Sequence, residues 1–289
     1  MKSKEVFLKP DKRRINNLYK MLLKNKSLKE SCYEDIARLI SEKKFNQMII
    51  FTGFPKNNTF ETDGPLGAFV LADTFFSKLN IQNIILLIPP LLLDMLSDLI
   101  KEILPNIKVF SVDKIPIDID LNLTTLGISV EFPGINRVGI AHHMDGNAIK
   151  FDYKPVTDFW RSINKYNKNS LTIGIGDGGN EMGLGCYETE IRGIIPLADV
   201  CTCPCQNGIA SNVIADKVLL ATTSNWGAYA LSSLFNYEFS YDQHFTYLKM
   251  LNERGIVDGV TQKCTPTVDN IDPVIEKKIV QKLFLGVRH

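Results

Sequence analysis

Apolar residues recur every three to four positions over residues 11–26 and 31–44, and this spacing predicts two amphipathic helices near the N-terminus. Farther along, short apolar runs alternate with longer helical patterns. Strands are predicted at residues 47–52, 83–88, 107–112, near 127–131, 171–175 and 217–222. Helices are predicted at residues 65–79, 91–104, 156–166, 226–236, 244–254 and 273–284.

This alternation of strands and helices predicts an α/β fold with a mainly parallel sheet. The strand segments are apolar at nearly every position, which indicates that helices cover both faces of the sheet. No run of Pro, Gly and Ser divides the chain. We therefore predict one α/β domain over residues 47–289, with residues 1–46 as an N-terminal helical appendage.

Three predicted strands run into loops of small and polar residues that lead to a helix start, at residues 52–65, 174–181 and 224–227. The carboxyl ends of parallel strands meet at one edge of a sheet, where the ligands of open α/β sheets bind. Helix N-termini at that edge offer free N–H groups to a carboxylate or a phosphate. We expect the functional site at these loops.

Two of the loops carry pairs of carboxylates. Asp177 and Glu181 are four residues apart and project the same way on a helical turn. Glu61 and Asp63 are two residues apart and share one side of an extended loop. Carboxylates that meet in one cleft need a cation or bound protons to offset their repulsion, and oxygen ligands suit Mg²⁺, Mn²⁺ or Ca²⁺. The alternative is that these acids only cap helices and bond to turn amides.

One loop also contains the glycine spacing of a dinucleotide-binding site, at residues 174–179, with Asp199 twenty residues farther on. Gly183 and Gly185 interrupt the helix that this motif requires, and Asp177 lies where a pyrophosphate would approach. A carboxylate repels such a ligand unless a metal lies between them. We therefore expect no nucleotide cofactor.

The composition narrows the partners and the compartment. The 289 residues include 33 Lys and Arg against 32 Asp and Glu, and this balance argues against nucleic acid as a partner. The first 50 residues hold 13 basic and 6 acidic residues, which we interpret as a solvated helical face. The longest apolar run, at residues 84–95, is shorter than the ~20 residues of a membrane helix, and residues 1–10 lack the core of a signal peptide. Six cysteines without a disulfide pattern predict a cytoplasmic protein.

A cysteine cluster at residues 201–205 has alternating spacing, which differs from the usual spacing of zinc ligands. A site of four thiolates with Cys186 or Cys264 is conceivable.

His142 and His143 are adjacent, so only one of them can face a given site, as a ligand or as a base. Trp226, at a helix start, is as consistent with core packing as with ligand binding.

Six segments of the chain together resemble the D-glutamate cyclase-like family. Two strings carry most of the resemblance: Ile-Gly-Ile-Gly-Asp-Gly-Gly-Asn-Glu at residues 173–181 and Ser-Asn-Trp-Gly at residues 224–227. The matching segments lie at residues 52–54, 61–68, 131–134, 173–181, 224–231 and 257–261, in the order of the family and within residues 47–272.

The resemblance implies a lyase reaction, the closure of D-glutamate to 5-oxo-D-proline with loss of water. It implies metal ligation by Asp63, Glu131, Asp177 and Glu181, with Mg²⁺ or Mn²⁺ as the expected ion. It implies catalytic roles for Glu61, Asp63, Asp177 and Glu181, in which Glu61 or Asp63 moves protons. It implies substrate contacts at Thr52, Gly53, Gly64, Gly178, Asn180, Ser224, Asn225 and Trp226.

Two other functions stay open at this point. One is a metal-dependent enzyme that acts on another small carboxylate or phosphate compound. The other is a module that binds an amino acid or nucleotide without turnover. We expect a small-molecule substrate and no contact with membranes. A homo-oligomer is conceivable because residues 91–93 form an apolar run, although this run would equally suit the core.

Overall fold

The structure, a computed structural model, describes residues 13–285. The first twelve residues of the predicted appendage, including the first two of its first predicted helix, lie outside the described residues. The helices are α1 (Arg13–Lys24), α2 (Cys32–Glu42), α3 (Pro65–Lys78), α4 (Pro90–Ile103), α5 (Lys154–Tyr166), α6 (Glu188–Ile194), α7 (Ser224–Ser233), α8 (Tyr241–Glu253) and α9 (Pro273–Leu285). The strands are β1 (Gln47–Thr52), β2 (Pro55–Lys56), β3 (Thr59–Phe60), β4 (Ile84–Ile88), β5 (Lys108–Ser111), β6 (Thr125–Val130), β7 (Leu171–Gly176) and β8 (Lys217–Leu220).

Six strands form one parallel sheet in the order β5-β4-β1-β6-β7-β8. The strand order reverses between β1 and β6, as in doubly wound sheets, and the crevice at such a reversal is where these folds bind ligands. Thr52 at the end of β1 pairs with Val130 at the end of β6, and Val130 pairs with Ile175 of β7. The loops after these three strands therefore begin side by side.

Side chains of the central strand point alternately into two apolar cores. Met48 and Ile50 belong to the larger core, which also buries α3, α4 and α7. Ile49 and Phe51 belong to the second core, where Trp160 of α5 packs edge-on against Phe51. Helices thus lie on both faces of a parallel sheet, and the predicted fold class is confirmed.

The N-terminal helices α1 and α2 pack on the same body. Ile15, Leu18 and Leu22 of α1 are fully buried in the larger core. Tyr33 of α2 is buried as well, and its hydroxyl donates to the carbonyl of Leu220 at the end of β8, at 3.0 Å. The boundary at residues 46 and 47 stays a prediction.

Two short features lie in segments that the pattern left as loops. The β2–β3 hairpin has only two residues in each strand, too few to show an alternating pattern. Helix α6 has seven residues and one buried side chain, Ile191, so it lacks the repeated apolar spacing of a longer helix. None of the helices within residues 13–285 is long and apolar enough to cross a bilayer.

Candidate active site

Three carboxylates meet at the carboxyl end of the sheet. Asp63 precedes α3, Glu131 follows β6, and Asp177 follows β7. One oxygen of each lies within 4.8 Å of the others, although 114 positions separate the first residue from the last. The reversal of strand order brings these distant segments together, as the sequence predicted for Asp63 and Asp177.

Asp63 is buried, and its carboxylate accepts backbone N–H groups from the start of α7. Ser224 donates to Oδ2 at 2.8 Å and Asn225 donates to Oδ1 at 2.7 Å, while Gly64 also donates to Oδ1 at 3.0 Å. The sequence analysis expected this helix start to grip a substrate carboxylate. A carboxylate of the protein itself already engages the Ser224 and Asn225 N–H groups there.

Glu131 is a buried member of the cluster and has an unusual backbone conformation, with φ of 43°. Its Oε2 accepts a hydrogen bond from the Ser224 hydroxyl at 2.6 Å. Burial, followed by the charges of Glu181 and Asp177, raises the pKa of Glu131 well above its ordinary value. Gly64 has φ of 101°, and a Cβ there would lie 2.7 Å from the Cβ of Glu131, so this close approach requires glycine.

Glu61 lies at the margin of the cluster and is partly exposed. Its backbone forms a parallel bridge with Val257, and its carboxylate has no hydrogen-bond partner among the described residues. Burial of the carboxyl, together with the charges of Asp269 and Asp63, raises its pKa well above the ordinary value. Lys56 lies close enough for its charge to lower that pKa in part.

Glu181 lies near this group, since its charge acts on Glu131, and its carboxylate is engaged by hydrogen bonds of its own loop. Its Oε1 accepts backbone N–H groups of Asp177 at 2.8 Å and Gly178 at 2.5 Å, and its Oε2 accepts that of Gly179 at 2.6 Å. The group of possible metal ligands contains Asp63, Glu131 and Asp177 and leaves out Glu181. Glu181 holds the loop that presents Asp177, and its expected role as a metal ligand stays a prediction.

Several residues expected to contact substrate have hydrogen-bond or packing partners within the protein. The Asn225 side chain joins two helix starts: its Oδ1 accepts N–H groups of Gly64 at 3.0 Å and Gly67 at 2.7 Å. Its Nδ2 donates to the carbonyl of Thr62 at 3.0 Å. Trp226 is fully buried against the rings of Tyr229 and His244, so the packing alternative describes it.

The remaining residues that were expected to contact substrate are buried or closely packed. Thr52 is fully buried, and its hydroxyl has no hydrogen-bond partner within the described part of the chain. A Cβ at Gly53 would lie 2.4 Å from a methyl of Leu92, so its backbone packs directly on α4. Asn180 is buried and donates its side-chain N–H to the His142 carbonyl at 2.8 Å. A Cβ at Gly178 would lie 2.7 Å from Oδ1 of Asn180 and 3.2 Å from Oε1 of Glu181.

Sequence reasoning missed two charged neighbours of Glu61. Asp269 exerts the largest charge effect on Glu61, and its Oδ2 accepts the hydroxyl of Thr223 at 3.0 Å. Lys56 lies on the β2–β3 hairpin and affects the pKa of both Glu61 and His143. Neither residue lies in a recognisable motif, and only the folded chain brings them near the cluster.

The donor set suits a hard divalent cation. Asp63, Glu131 and Asp177 offer carboxylate oxygens, the ligand type that Mg²⁺ and Mn²⁺ prefer. A cation there would also offset the repulsion that raises the pKa of Glu131. These three side chains are therefore the residues that would hold the expected metal.

Comparison with known proteins gives two findings. The sequence model of the family described as "D-glutamate cyclase-like, C-terminal" matches residues 11–284. A curated relative, "D-glutamate cyclase, mitochondrial" of Homo sapiens, is 29% identical over 289 residues. The match covers 89% of this chain and 44% of the relative, so the chain spans less than half the relative's length. The family match includes the segment that contains α1 and α2.

Proposed function

The chain belongs to the D-glutamate cyclase-like family, and from this premise we propose that it converts D-glutamate to 5-oxo-D-proline and water. The observation that carries the proposal is the cluster of Asp63, Glu131 and Asp177 at the switch point, with Glu61 at its margin. The name of the human relative supports the choice of substrate.

The reaction needs proton transfer at two atoms. The α-amine of D-glutamate attacks the γ-carboxyl carbon, a C–N bond forms, and a C–O bond breaks. The ammonium group loses two protons, and the departing oxygen gains two and leaves as water. A site with one group that accepts and returns protons can carry both transfers without net proton uptake.

We assign this proton transfer to Glu61. It is partly exposed, its carboxylate has no hydrogen-bond partner among the described residues, and its pKa is raised well above the ordinary value by burial and by the charges of Asp269 and Asp63. A carboxyl group with these properties can take a proton from the amine and deliver it to the departing oxygen. The proton travels only a short distance, because the amine and the departing oxygen belong to the same small molecule.

The other carboxylates position the γ-carboxyl. A divalent cation on Asp63, Glu131 and Asp177 would supply charge neutralisation and Lewis-acid polarisation of that carboxyl. Glu131 is oriented for this task by the Ser224 hydroxyl, and Asp63 by three backbone N–H groups. Holding the amine against the carboxyl carbon is worth roughly 7–11 kcal/mol of the barrier.

Lys56 is the candidate contact for the α-carboxylate of the substrate. A substrate with a net negative charge is repelled by a site of several carboxylates unless a cation lies nearby. The charge of Lys56 acts on the pKa of both Glu61 and His143, which supports a role for its ammonium group near the proposed proton carrier. This role replaces the start of α7 as the expected anion site, because Asp63 already engages that helix start.

The proposal is tested by incubating the purified chain with D-glutamate, with and without Mn²⁺ or Mg²⁺, and detecting 5-oxoproline by mass spectrometry. We expect product from D-glutamate, with L-glutamate as the stereochemical control. Absence of product under every condition would contradict the proposal. A thermal shift with D-glutamate but no turnover would favour the binding-module alternative, and turnover of another carboxylate or phosphate compound would favour the other enzyme class.

A further inference from the structure

A second group of possible metal ligands lies outside the carboxylate cluster, where two irregular segments of the chain meet. The segment at residues 140–148 supplies His142, and the segment at residues 201–208 supplies Cys201, Cys203 and Cys205. One ligand atom of each residue lies within 4.8 Å of the others. We propose that these four side chains bind one zinc ion in a closed structural site.

The distances fit a tetrahedron around a single ion. The three sulfur atoms lie 3.4 Å (Cys201–Cys203), 3.3 Å (Cys201–Cys205) and 3.2 Å (Cys203–Cys205) from one another. Nε2 of His142 lies 3.2 Å from the sulfur of Cys203 and 3.5 Å from that of Cys205. Zinc bonds of about 2.3 Å to sulfur and 2.1 Å to nitrogen require separations of about 3.8 and 3.6 Å. The sulfur atoms need to move apart by about 0.4–0.6 Å, and the nitrogen by about 0.1–0.4 Å from the sulfur atoms of Cys203 and Cys205.

The histidine is oriented for metal binding. Its Nδ1 lies 3.1 Å from the carbonyl of Ile140, so the ring donates from Nδ1 and presents the lone pair of Nε2 to the three sulfur atoms. Metal-bound histidines commonly donate their second nitrogen in this way. The side-chain amide of Asn136 lies 3.7 Å from the sulfur of Cys205 and is anchored on the carbonyl of Gly208. It would support that thiolate as a neighbour outside the ligand shell.

A disulfide explains this arrangement less well. A disulfide joins two sulfur atoms at about 2.05 Å, and it would not account for the positions of the third cysteine and the histidine. Here the three sulfur–sulfur distances are nearly equal, and the imidazole nitrogen completes the group. Three similar sulfur–sulfur distances, with an imidazole nitrogen 3.2 Å and 3.5 Å from two of these sulfur atoms, suit ligands around one central ion.

The spacing of the cysteines concealed this site in the sequence. Cys186 and Cys264, the fourth ligands considered there, are exposed and lie outside the group. The fourth ligand is His142, which lies 59 positions before the first cysteine. The sequence alone indicates only that one of the adjacent residues His142 and His143 can face a site as a ligand.

Four protein ligands leave no open position on the ion, so the site is structural and not catalytic. Thiolate and imidazole ligands favour zinc over the magnesium or manganese expected at the carboxylate cluster. The ion would tie together two segments that also meet where the Thr202 hydroxyl donates to the Asp145 carbonyl at 3.2 Å. It would also fix the His142 carbonyl, which accepts from Asn180 in the loop that carries Asp177.

The test is the zinc content of the full chain, produced with zinc and dialysed in buffer without chelator. We expect about one zinc per chain by elemental analysis, and about a tenth of that or less in Cys203→Ser and His142→Gln. Cys264→Ser is the matched control, because this exposed cysteine lies outside the group, and it should keep the full zinc content.

A second measurement uses the unmutated chain, in case the variants fail to fold. Cobalt bound in place of zinc should show the visible bands of a tetrahedral ion and charge transfer from thiolate. Wild-type chain that holds no zinc after loading, cobalt spectra without thiolate charge transfer, or a disulfide between two of the three cysteines would each overturn the proposal. So would full zinc retention by folded Cys203→Ser and His142→Gln.

Discussion

Individual carboxyl groups at the switch point differ in the number of hydrogen bonds that they accept, and this difference bears on which of them can hold a proton. Asp63 accepts three backbone N–H groups and Glu181 accepts three others, so the surrounding backbone fixes the position of each carboxylate. Glu131 accepts a single hydroxyl and Glu61 accepts none among the described residues. Burial and like charges therefore raise the pKa of these last two groups. They are the members suited to hold a proton.

The raised pKa of Glu131 predicts how stability changes with pH. Above the ordinary glutamate pKa of about 4.3, the unfolded chain loses this proton while the folded chain keeps it. The free energy of unfolding therefore falls with rising pH, by up to about 1.4 kcal/mol per pH unit per group, until the raised folded pKa is passed. Glu131→Gln removes one such group, so its unfolding free energy should fall less steeply.

Denaturant unfolding from pH 5 to 8, in buffer free of divalent cations, measures this slope. The two proteins should differ most at the upper end of the range, where Glu131→Gln is the more stable. Parallel curves for the wild type and the variant would show that Glu131 titrates as an ordinary glutamate.

A methyl group at Gly259 should displace Glu61. The added Cβ would lie 2.2 Å from Oε2 of Glu61, and the end of that side chain can move aside. We expect Gly259→Ala to keep its fold and to lower kcat for D-glutamate by about tenfold to a hundredfold, because the proton carrier is misplaced. Gly193→Ala, where the Cβ meets nothing within 4 Å, is the control and should keep kcat. Equal kcat in both variants would argue against a role for Glu61.

At the scale of elements, the starts of α3 and α7 are held together by side chains instead of being open to ligands. Asn225 of α7 accepts N–H groups at the start of α3, and Asp63, just before α3, accepts N–H groups at the start of α7. The two helices pack closely, since a Cβ at Gly67 would lie 2.8 Å from that of Ala228. This reciprocal capping gives the carboxylate cluster a rigid base.

Loss of the Asp63 cap should therefore destabilise the fold. Asp63→Asn keeps one oxygen but turns an amide N–H toward a backbone N–H group of α7, which leaves a buried donor unsatisfied. We expect a loss of about 1–3 kcal/mol in the free energy of unfolding, measured with denaturant at neutral pH. Asp94→Asn, on the exposed side of α4, should change it by less than about 0.5 kcal/mol. A similar small effect for Asp63→Asn would mean that the cap contributes little.

The apolar pattern predicted the long elements well, because each buries a regular set of side chains. Strand β1 begins and ends where the pattern placed it, and α3 begins at Pro65 as expected. Helix α7 begins two residues before its predicted start, since Thr223, Ser224 and Asn225 are polar and gave no apolar signal. The pattern carries no information on tertiary contacts. It could not show that the Asp63 carboxylate would accept the N–H groups at the start of α7.

At the scale of the whole molecule, the strand order explains why the carboxylates meet. The sequence predicted that loops after parallel strands share one edge, and this argument correctly joined Asp63 and Asp177. It could not give the strand order, so it could not place Asp269 or Lys56 beside Glu61. It also could not show that the Glu181 carboxylate accepts three backbone N–H groups, because these hydrogen bonds depend on the exact turn of its loop.

A cation in the cluster should stabilise the whole fold. An ion that binds only the folded chain adds about 2.7 kcal/mol to the free energy of unfolding at one hundred times its Kd. We therefore expect Mn²⁺ to raise the Tm of the wild type in a concentration-dependent manner and to have little effect on Glu131→Gln, which loses one charged ligand. Equal shifts in both proteins would place manganese binding elsewhere.

The most direct test of the central claim compares the production of 5-oxoproline from D-glutamate by the wild type and by Asp177→Asn. Asp177 comes from a loop far in sequence from Asp63, so its contribution depends on the meeting of the two segments. The account predicts product from the wild type, a rate lower by about 10² to 10⁴ in Asp177→Asn, and the wild-type rate in Asp94→Asn. Product formed equally fast by Asp177→Asn, or none by the wild type, would contradict it.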